Sequence, residues 1–182
     1  DTAGHWAQDA VAFVAERELF LGTGGGAFSP DAGTTRAMLA TVIGRLYERS
    51  FGGIAPAAPA GFTDCDEASY YAKYVAWAAE NKIIIGYGNG LFGPEDLVTR
   101  EQLAAILYRF ALNFGFLPGN MDIVLQYPDA ESISDYAKTA ALYCQSTGIL
   151  SGRDGGLFVP KETATRAEVA AVLQRLIESI LG

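Results

Sequence analysis

The chain has 182 residues, of which 50% are hydrophobic, and it carries a formal net charge of -8 with a pI of about 4.6. A chain of this length and apolar content can bury a core, which excludes a disordered tail. Its acidity would repel a nucleic-acid backbone, so we expect no nucleic-acid partner. No apolar run approaches the roughly 18 to 20 residues of a membrane-spanning helix, so we expect no membrane insertion.

The first predicted element is a helix that starts at the pair Trp6-Ala7. Apolar residues at helical spacing support it, and the glycine at position 22 ends it. A Gly-rich turn follows, and a second helix starts at Thr35-Arg36. The second helix carries an apolar stripe on one face, made of Leu39, Val42, Ile43, Leu46 and Tyr47.

The same order of elements returns twice further along the chain. The later first helices start at Tyr71-Ala72 and Tyr136-Ala137, and the later second helices start at Thr99-Arg100 and Thr165-Arg166. Before each of these arginines a Gly stands at fourteen and ten residues, a Phe at eight and a Pro at six. This self-similarity predicts three repeats, at residues 1–50, 62–114 and 127–182, joined by linkers at 51–61 and 115–126.

The three apolar stripes of the second helices predict the fold. Such stripes bury one another by packing together, so we expect an all-α fold with the second helices in a central three-helix bundle and the first helices around it. Together the repeats should form one compact unit.

An arginine follows each threonine at the start of the second helices. Thr99 with Gln102 and Thr165 with Glu168 fit capping boxes, whereas Met38 stands at that position in the first repeat. A cation at the first helical position is disfavoured by the helix dipole, so helix stability does not explain the arginine. Two interpretations are open: an internal ion pair between repeats, or an anion site formed with free helix-start amides.

Other repeated positions allow both a structural and a functional interpretation. Glycines at the turns suit close approach of a ligand or a tight conformation of the chain itself. A flat ring at the start of a first helix packs into a core or lies against a sugar. The only histidine, His5, has no catalytic partner at a telling spacing, and Cys65 and Cys144 lack the paired spacing of a zinc or redox site. We therefore expect a binder without a metal or cofactor.

Each repeat resembles the S-layer homology repeat. The resemblance rests on the aromatic-Ala helix start, the Gly-x-Phe-x-Pro segment, the Thr-Arg-Ala-Glu helix start, and the openings Phe62-Thr63-Asp64 and Tyr127-Pro128-Asp129, with Asp1 as the remnant in the first repeat. It implies a pseudo-threefold trimer at the bacterial cell surface. The grooves between neighbouring repeats would bind an acidic wall polysaccharide, commonly through a terminal pyruvylated sugar.

The resemblance also implies roles for individual residues. The arginines would clamp the ligand's acid group, the aromatic rings would stack on the sugar, the aspartates would contact hydroxyls or order the groove, and the glycines would line it. In that order these residues are Arg36, Arg100 and Arg166; Trp6, Tyr71 and Tyr136; Asp1, Asp64 and Asp129; and Gly22, Gly86 and Gly152.

The function that follows is a noncatalytic module that anchors a fused or attached surface protein on the bacterial cell wall. An alternative is a structural or self-assembly module of a surface-layer protein, in which the arginines pair internally. A wall-active hydrolase is a third hypothesis, but no pair of carboxylates is marked out as acid and base. Because an acidic protein does not attract an acidic polymer over long distances, recognition would be local.

Overall fold

The computed structural model describes residues 1–55 and 59–181, so positions 56–58 of the predicted linker 51–61 lie outside the described residues. The described chain is helical and contains only isolated β-bridges besides its helices, which confirms the predicted all-α class. The α-helices are α1 (Gln8–Glu16), α2 (Arg36–Phe51), α3 (Ala72–Glu80), α4 (Arg100–Phe114), α5 (Lys138–Thr147) and α6 (Arg166–Leu181). Short 3-10 helices occur at Ala130–Ser132, Asp135–Ala137 and Asp154–Gly156.

The chain forms two compact units. The smaller unit, Thr34–Leu97, contains α2 and α3, which pack on each other. The larger unit combines Asp1–Gly33 with the chain from Val98 onward; in it α4 packs on α5, and α6 packs on α1. Each second helix therefore packs on the first helix of the following repeat, with the third repeat returning to the first. Within the larger unit, α4 and α6 are not among the close pairs of described helices.

The predicted apolar stripes are buried in these helix pairs. Leu39, Ile43, Leu103, Phe110, Val169 and Leu173 are at most 3% exposed, whereas Tyr47 at the edge of the α2 stripe is half-buried. Burial of each such side chain contributes about 1.5 to 3 kcal/mol. Gly44 in α2 lets α3 approach, because a Cβ there would collide with the ring of Tyr74. No described helix combines the length and the apolar character needed to cross a bilayer.

The second helices start with the predicted caps. The hydroxyls of Thr35, Thr99 and Thr165 accept hydrogen bonds from the amides three residues on, at 3.2 to 3.3 Å. Gln102 and Glu168 return the bond to the threonine amides at 3.0 and 2.9 Å, completing capping boxes in α4 and α6. The α2 start has only the threonine half of this arrangement.

The first helices end in a left-handed residue at the same position of each repeat. These residues are Glu18, Lys82 and Gly148, with φ of 52°, 55° and 65°. The left-handed region suits glycine and costs other residues free energy, so only the third repeat has the residue that this helix end favours.

Candidate functional site

The arginines after the capping threonines lie inside the protein. Arg36, Arg100 and Arg166 are 6%, 0% and 2% exposed. Each guanidinium donates two hydrogen bonds of 2.7 to 2.8 Å to backbone carbonyls of the following repeat. The Nε bonds reach Phe92, Phe158 and Phe28, and the Nη2 bonds reach Ile85, Ser151 and Leu21. The repeated arginine thus fastens each second helix to the loop of the next repeat.

Aromatic rings and a carboxylate complete the surroundings of these arginines. The guanidinium carbon of Arg36 lies 4.7 Å from the ring centroid of Tyr87, and that of Arg166 lies 4.1 Å from the ring centroid of Phe20. Such contacts favour a desolvated cation. Arg100 also forms an ion pair with Glu168. Burial lowers the pKa of Arg100, and Glu168 acts in the opposite direction.

The amides at the helix starts are used within the protein. In α2 the amides of Arg36 and Ala37 donate to the carbonyls of Asp96 and Pro94 at 2.9 and 3.0 Å. Equivalent bonds run from Arg100 and Glu101 to Glu162 and Pro160, and from Arg166 and Ala167 to Ala32 and Pro30. Since the next amide is taken by the threonine cap, an anion site built on free helix-start amides is wrong for this structure.

The aspartates at the openings of the repeats hold the loops that contain the Phe and Pro positions. The two carboxylate oxygens of Asp64 accept from the amides of Phe92 and Gly93 at 2.8 and 2.7 Å. Asp1 and Asp129 hold the pairs Phe28-Ser29 and Phe158-Val159 in the same way. In each pair the second residue has positive φ: Ser29, Gly93 and Val159. Burial raises the pKa of Asp64, but the two amide hydrogen bonds offset this and the pKa is lowered.

The glycines at the turns are required by the turns themselves. A Cβ would lie 2.5 Å from the carbonyl oxygen of Ala27 if built on Gly22, and 2.7 Å from that of Leu91 if built on Gly86. At Gly152 the same distance to the carbonyl oxygen of Gly156 is 3.1 Å. The close approach is therefore made by the chain.

The rings at the starts of the first helices differ in exposure. Trp6 and Tyr136 are 64% and 56% exposed, whereas Tyr71 is 8% exposed. The hydroxyl of Tyr136 donates to Glu101 at 3.2 Å, and burial with the charge of Glu101 raises the pKa of Tyr136 to about 12. The ring of Tyr71 is buried and therefore offers no surface on which a sugar could stack. The exposed ring at this position of the second repeat is that of the neighbouring Tyr70.

One cleft of about 630 Å³ lies within the larger unit. It is lined by Trp6, Asp31, Leu150, Ser151, Gly152, Arg153, Asp154, Thr165, Glu168, Ala171 and Arg175. Two residues to which the sequence assigned a site role, Trp6 and Gly152, meet here. Arg100 lies behind the wall and bonds the carbonyl of Ser151.

Glu168 is the charged centre of the cleft wall. One oxygen accepts from Arg100 and from Nε of Arg153, and the other accepts from Nη2 of Arg153 at 3.0 Å. Burial raises the pKa of Glu168. The hydrogen bonds from Arg153 and the charge of Arg100 lower this pKa by a larger amount, so the pKa of Glu168 lies below its ordinary value. The carboxylate thus fixes two guanidinium groups at the wall.

Sequence reasoning does not single out the cations of the cleft. Arg45, Arg109 and Arg175 each stand nine residues after one of the Thr-Arg arginines, so the repeat alignment carried a signal for Arg175. Arg153 gives no such signal, because Thr23 and Tyr87 occupy its position in the other repeats. Alignment of the repeats identifies residues that recur, and Arg153 occurs in one repeat only.

Comparison with known proteins identifies the repeats. The S-layer homology domain matches residues 1–38, 61–104 and 126–170, which confirms three tandem copies. The exoglucanase XynX of Acetivibrio thermocellus is 30% identical over 98% of this chain, and the cellulosome-anchoring protein of the same organism is 26% identical over 90%. The S-layer protein sap of Bacillus anthracis is 27% identical over 95%. The chain spans 16%, 36% and 20% of the lengths of these three relatives.

Proposed function

Since the chain belongs to the S-layer homology family, we propose that it is a noncatalytic module that holds a larger protein on the wall by binding an acidic wall polysaccharide. S-layer homology domains belong to the bacterial cell surface and cell wall. The relatives include an enzyme, an anchoring protein and an S-layer protein, each much longer than this chain. A shared part in proteins of such different names supports a module that carries varied cargo.

The observation that carries the proposal is the cleft with the exposed ring of Trp6 at its edge. A volume of about 630 Å³ is in the usual range for a small-ligand site. The His5 ring lies 5.5 Å from the Trp6 ring and bonds Asp31 at 3.2 Å, which restricts the indole before a ligand arrives. A flat apolar ring beside polar donors suits a sugar, which has an apolar face and a hydroxylated edge.

The roles of the repeated residues within this function stay predictions. For Arg36, Arg100 and Arg166 the internal hydrogen bonds support holding the loops, and leave the direct acid clamp without geometric support. For Asp1, Asp64 and Asp129 the bonds to loop amides support ordering of the groove. The pyruvylated sugar as ligand is likewise a prediction.

A pseudo-threefold trimer around a central three-helix bundle also stays a prediction. It is supported by the cyclic order of the contacts, in which α2 meets α3, α4 meets α5, and α6 meets α1. The carbonyl bonds of the three arginines follow the same order.

Replacement of Trp6 tests the proposed function. Trp6→Ala should reduce co-sedimentation with purified wall polysaccharide about tenfold, because it removes the exposed wall of the cleft. Ile123→Ala is the matched control, since Ile123 is 91% exposed and does not line the cleft. Unchanged retention of Trp6→Ala at an unchanged melting temperature would exclude this cleft as the wall-binding site.

The internally bonded arginines also fit the alternative of a structural or self-assembly module. Analytical ultracentrifugation separates the two functions. An anchoring module binds wall polysaccharide without associating with itself, whereas a self-assembly module forms oligomers in the absence of polysaccharide.

A further inference from the structure

Arg153 is the one cation that the third repeat places in its glycine turn. It follows Gly152 directly, at the position of Thr23 and Tyr87 in the other repeats. Its side chain is 33% exposed and lines the cleft. The three glycine turns therefore differ at the residue closest to the turn glycine: a hydroxyl, a phenol and a guanidinium.

The guanidinium of Arg153 is held along one edge and open along the other. Nε and Nη2 donate to the two oxygens of Glu168 at 2.9 and 3.0 Å, and Nη2 also donates to the carbonyl of Thr163 at 2.8 Å. Among the described residues Nη1 has no hydrogen-bond partner, so both of its N–H groups remain available. The hydrogen bonds that Arg153 donates to Glu168 raise the pKa of Arg153, which keeps the group charged.

The surroundings favour a short-range contact with an anion. Glu168 is shared with the buried Arg100, so its single negative charge faces two guanidinium groups. Arg175 adds a third cation, whose Nη1 donates a hydrogen bond to the carbonyl of Ile149 at 3.2 Å. Asp31 and Asp154 also line the cleft and oppose long-range attraction of an anion. Recognition must then depend on donors fixed at contact distance.

We propose that Arg153 determines the acid specificity of the cleft, its Nη1 edge donating to one carboxylate or phosphate group of a wall glycan. Glu168 is the positioning residue that presents this edge. The inference rests on the proposed function, and it assigns the acid group to a residue that occurs in one repeat rather than to the three repeated arginines. A charged group fixed in place before binding loses little entropy when the ligand arrives.

The test compares three forms of purified wall polysaccharide: untreated, treated with mild acid to remove ketal-linked pyruvate, and treated with hydrofluoric acid to remove phosphodiesters. The wild-type chain should bind the untreated polymer about tenfold more tightly than the form that lacks the recognised acid. The treatment that removes this preference identifies carboxylate or phosphate. Equal wild-type affinity for all three forms would overturn the proposal.

Arg153→Thr and Arg153→Tyr place the residues of the other repeats at this position. Both variants should bind all three polymers with the affinity that the wild type shows for the polymer without the acid. The ratio of their affinities for untreated and treated polymer should therefore be about one. Arg17→Thr is the control, since it removes the same charge from an exposed position outside the cleft. A full preference retained by Arg153→Thr would overturn the role of Arg153 while leaving the proposed function intact. A wild type that binds none of the polymers would refute both.

Glu168→Gln tests the positioning role. It should lower the preference for the acidic polymer, and it should lower it no further in combination with Arg153→Thr, because both changes disable the same donor. If Glu168 has only a structural role, Glu168→Gln should have the same effect in the wild type and in Arg153→Thr. That result would contradict the positioning role. Melting temperatures of all variants separate loss of fold from loss of preference.

Discussion

A buried arginine at the start of a helix is costly unless its N–H groups find acceptors. Here the acceptors are carbonyls of the next repeat, and flat rings cover the guanidinium groups of Arg36 and Arg166. The sequence shows that helix stability alone does not require this residue. It does not show the carbonyls, because a backbone acceptor leaves no mark in the residue types. A salt bridge is easier to predict from residue types, and Arg100 with Glu168 is an example.

Removal of Arg100 should destabilise the larger unit strongly. Arg100→Ala leaves the carbonyls of Ser151 and Phe158 without their donor and opens a cavity at a fully buried position, so we expect a loss of about 3 to 5 kcal/mol. Urea unfolding followed by circular dichroism measures this loss. Arg17→Ala is the exposed control and should change stability by less than about 0.5 kcal/mol. A near-normal unfolding midpoint for Arg100→Ala would show that these bonds are dispensable.

Asp64 should make stability depend on pH. Its folded-state pKa is lowered, so its contribution is complete above the unfolded value of about 3.9 and is lost as the pH falls through the folded value. Asp64→Asn should lower the melting temperature at pH 7. The amide oxygen of Asn can accept one of the two backbone hydrogen bonds, but its NH2 group would face the other backbone N–H donor. The difference from the wild type should shrink as the pH falls below about 4. Thermal melts over that range measure it, and a constant difference would contradict the carboxylate's role.

At the scale of elements, the repeat pattern predicted most of the secondary structure. The Thr-Arg dipeptides mark the starts of α2, α4 and α6, and the apolar stripes mark their buried faces. The pattern did not predict which helices pack together. An amphipathic stripe shows that one face of a helix is buried, but it does not show which helix covers that face. The repeat pattern also did not predict the cleft, since Trp6 and Arg153, which both line it, are far apart in sequence.

The ends of the first helices offer a stabilising change. Lys82 follows α3 in an exposed, left-handed conformation that Gly148 occupies after α5. Lys82→Gly should stabilise the smaller unit by up to about 1 kcal/mol, because relief of a left-handed L-residue exceeds the entropy that glycine loses on folding. Differential scanning calorimetry measures the rise in melting temperature. Gly148→Ala, the reciprocal change, should destabilise, and an equal response of both variants would argue against strain at this position.

At the scale of the whole molecule, each repeat depends on its neighbours. The partner of α6 is α1, which is the first helix of the chain, while the partner of α4 is α5. A repeat cut at the boundaries read from the sequence would therefore leave its second helix without the face that covers it. The repeats are units of sequence, and the helix pairs are units of packing.

Deletion of residues 1–33 tests this dependence. The shortened chain should expose the face of α6 that packs on α1 and leave Arg166 without the carbonyls of Leu21 and Phe28. Hydrogen exchange should show lost protection in α6 and retained protection in α2 and α3, which form their own compact unit. Equal protection of α6 in the full and shortened chains would contradict the dependence. Residues 34–97 alone provide the comparison for the smaller unit.

The packing of α6 on α1 has a mechanical consequence. When a force pulls on α6, the tension passes into α1, and through the bonds of Arg166 into the loop at Leu21 and Phe28. Since the packing and these bonds hold the same helix, we expect them to fail together. In a single-molecule pulling experiment we therefore expect α6 to separate from α1 in one cooperative step.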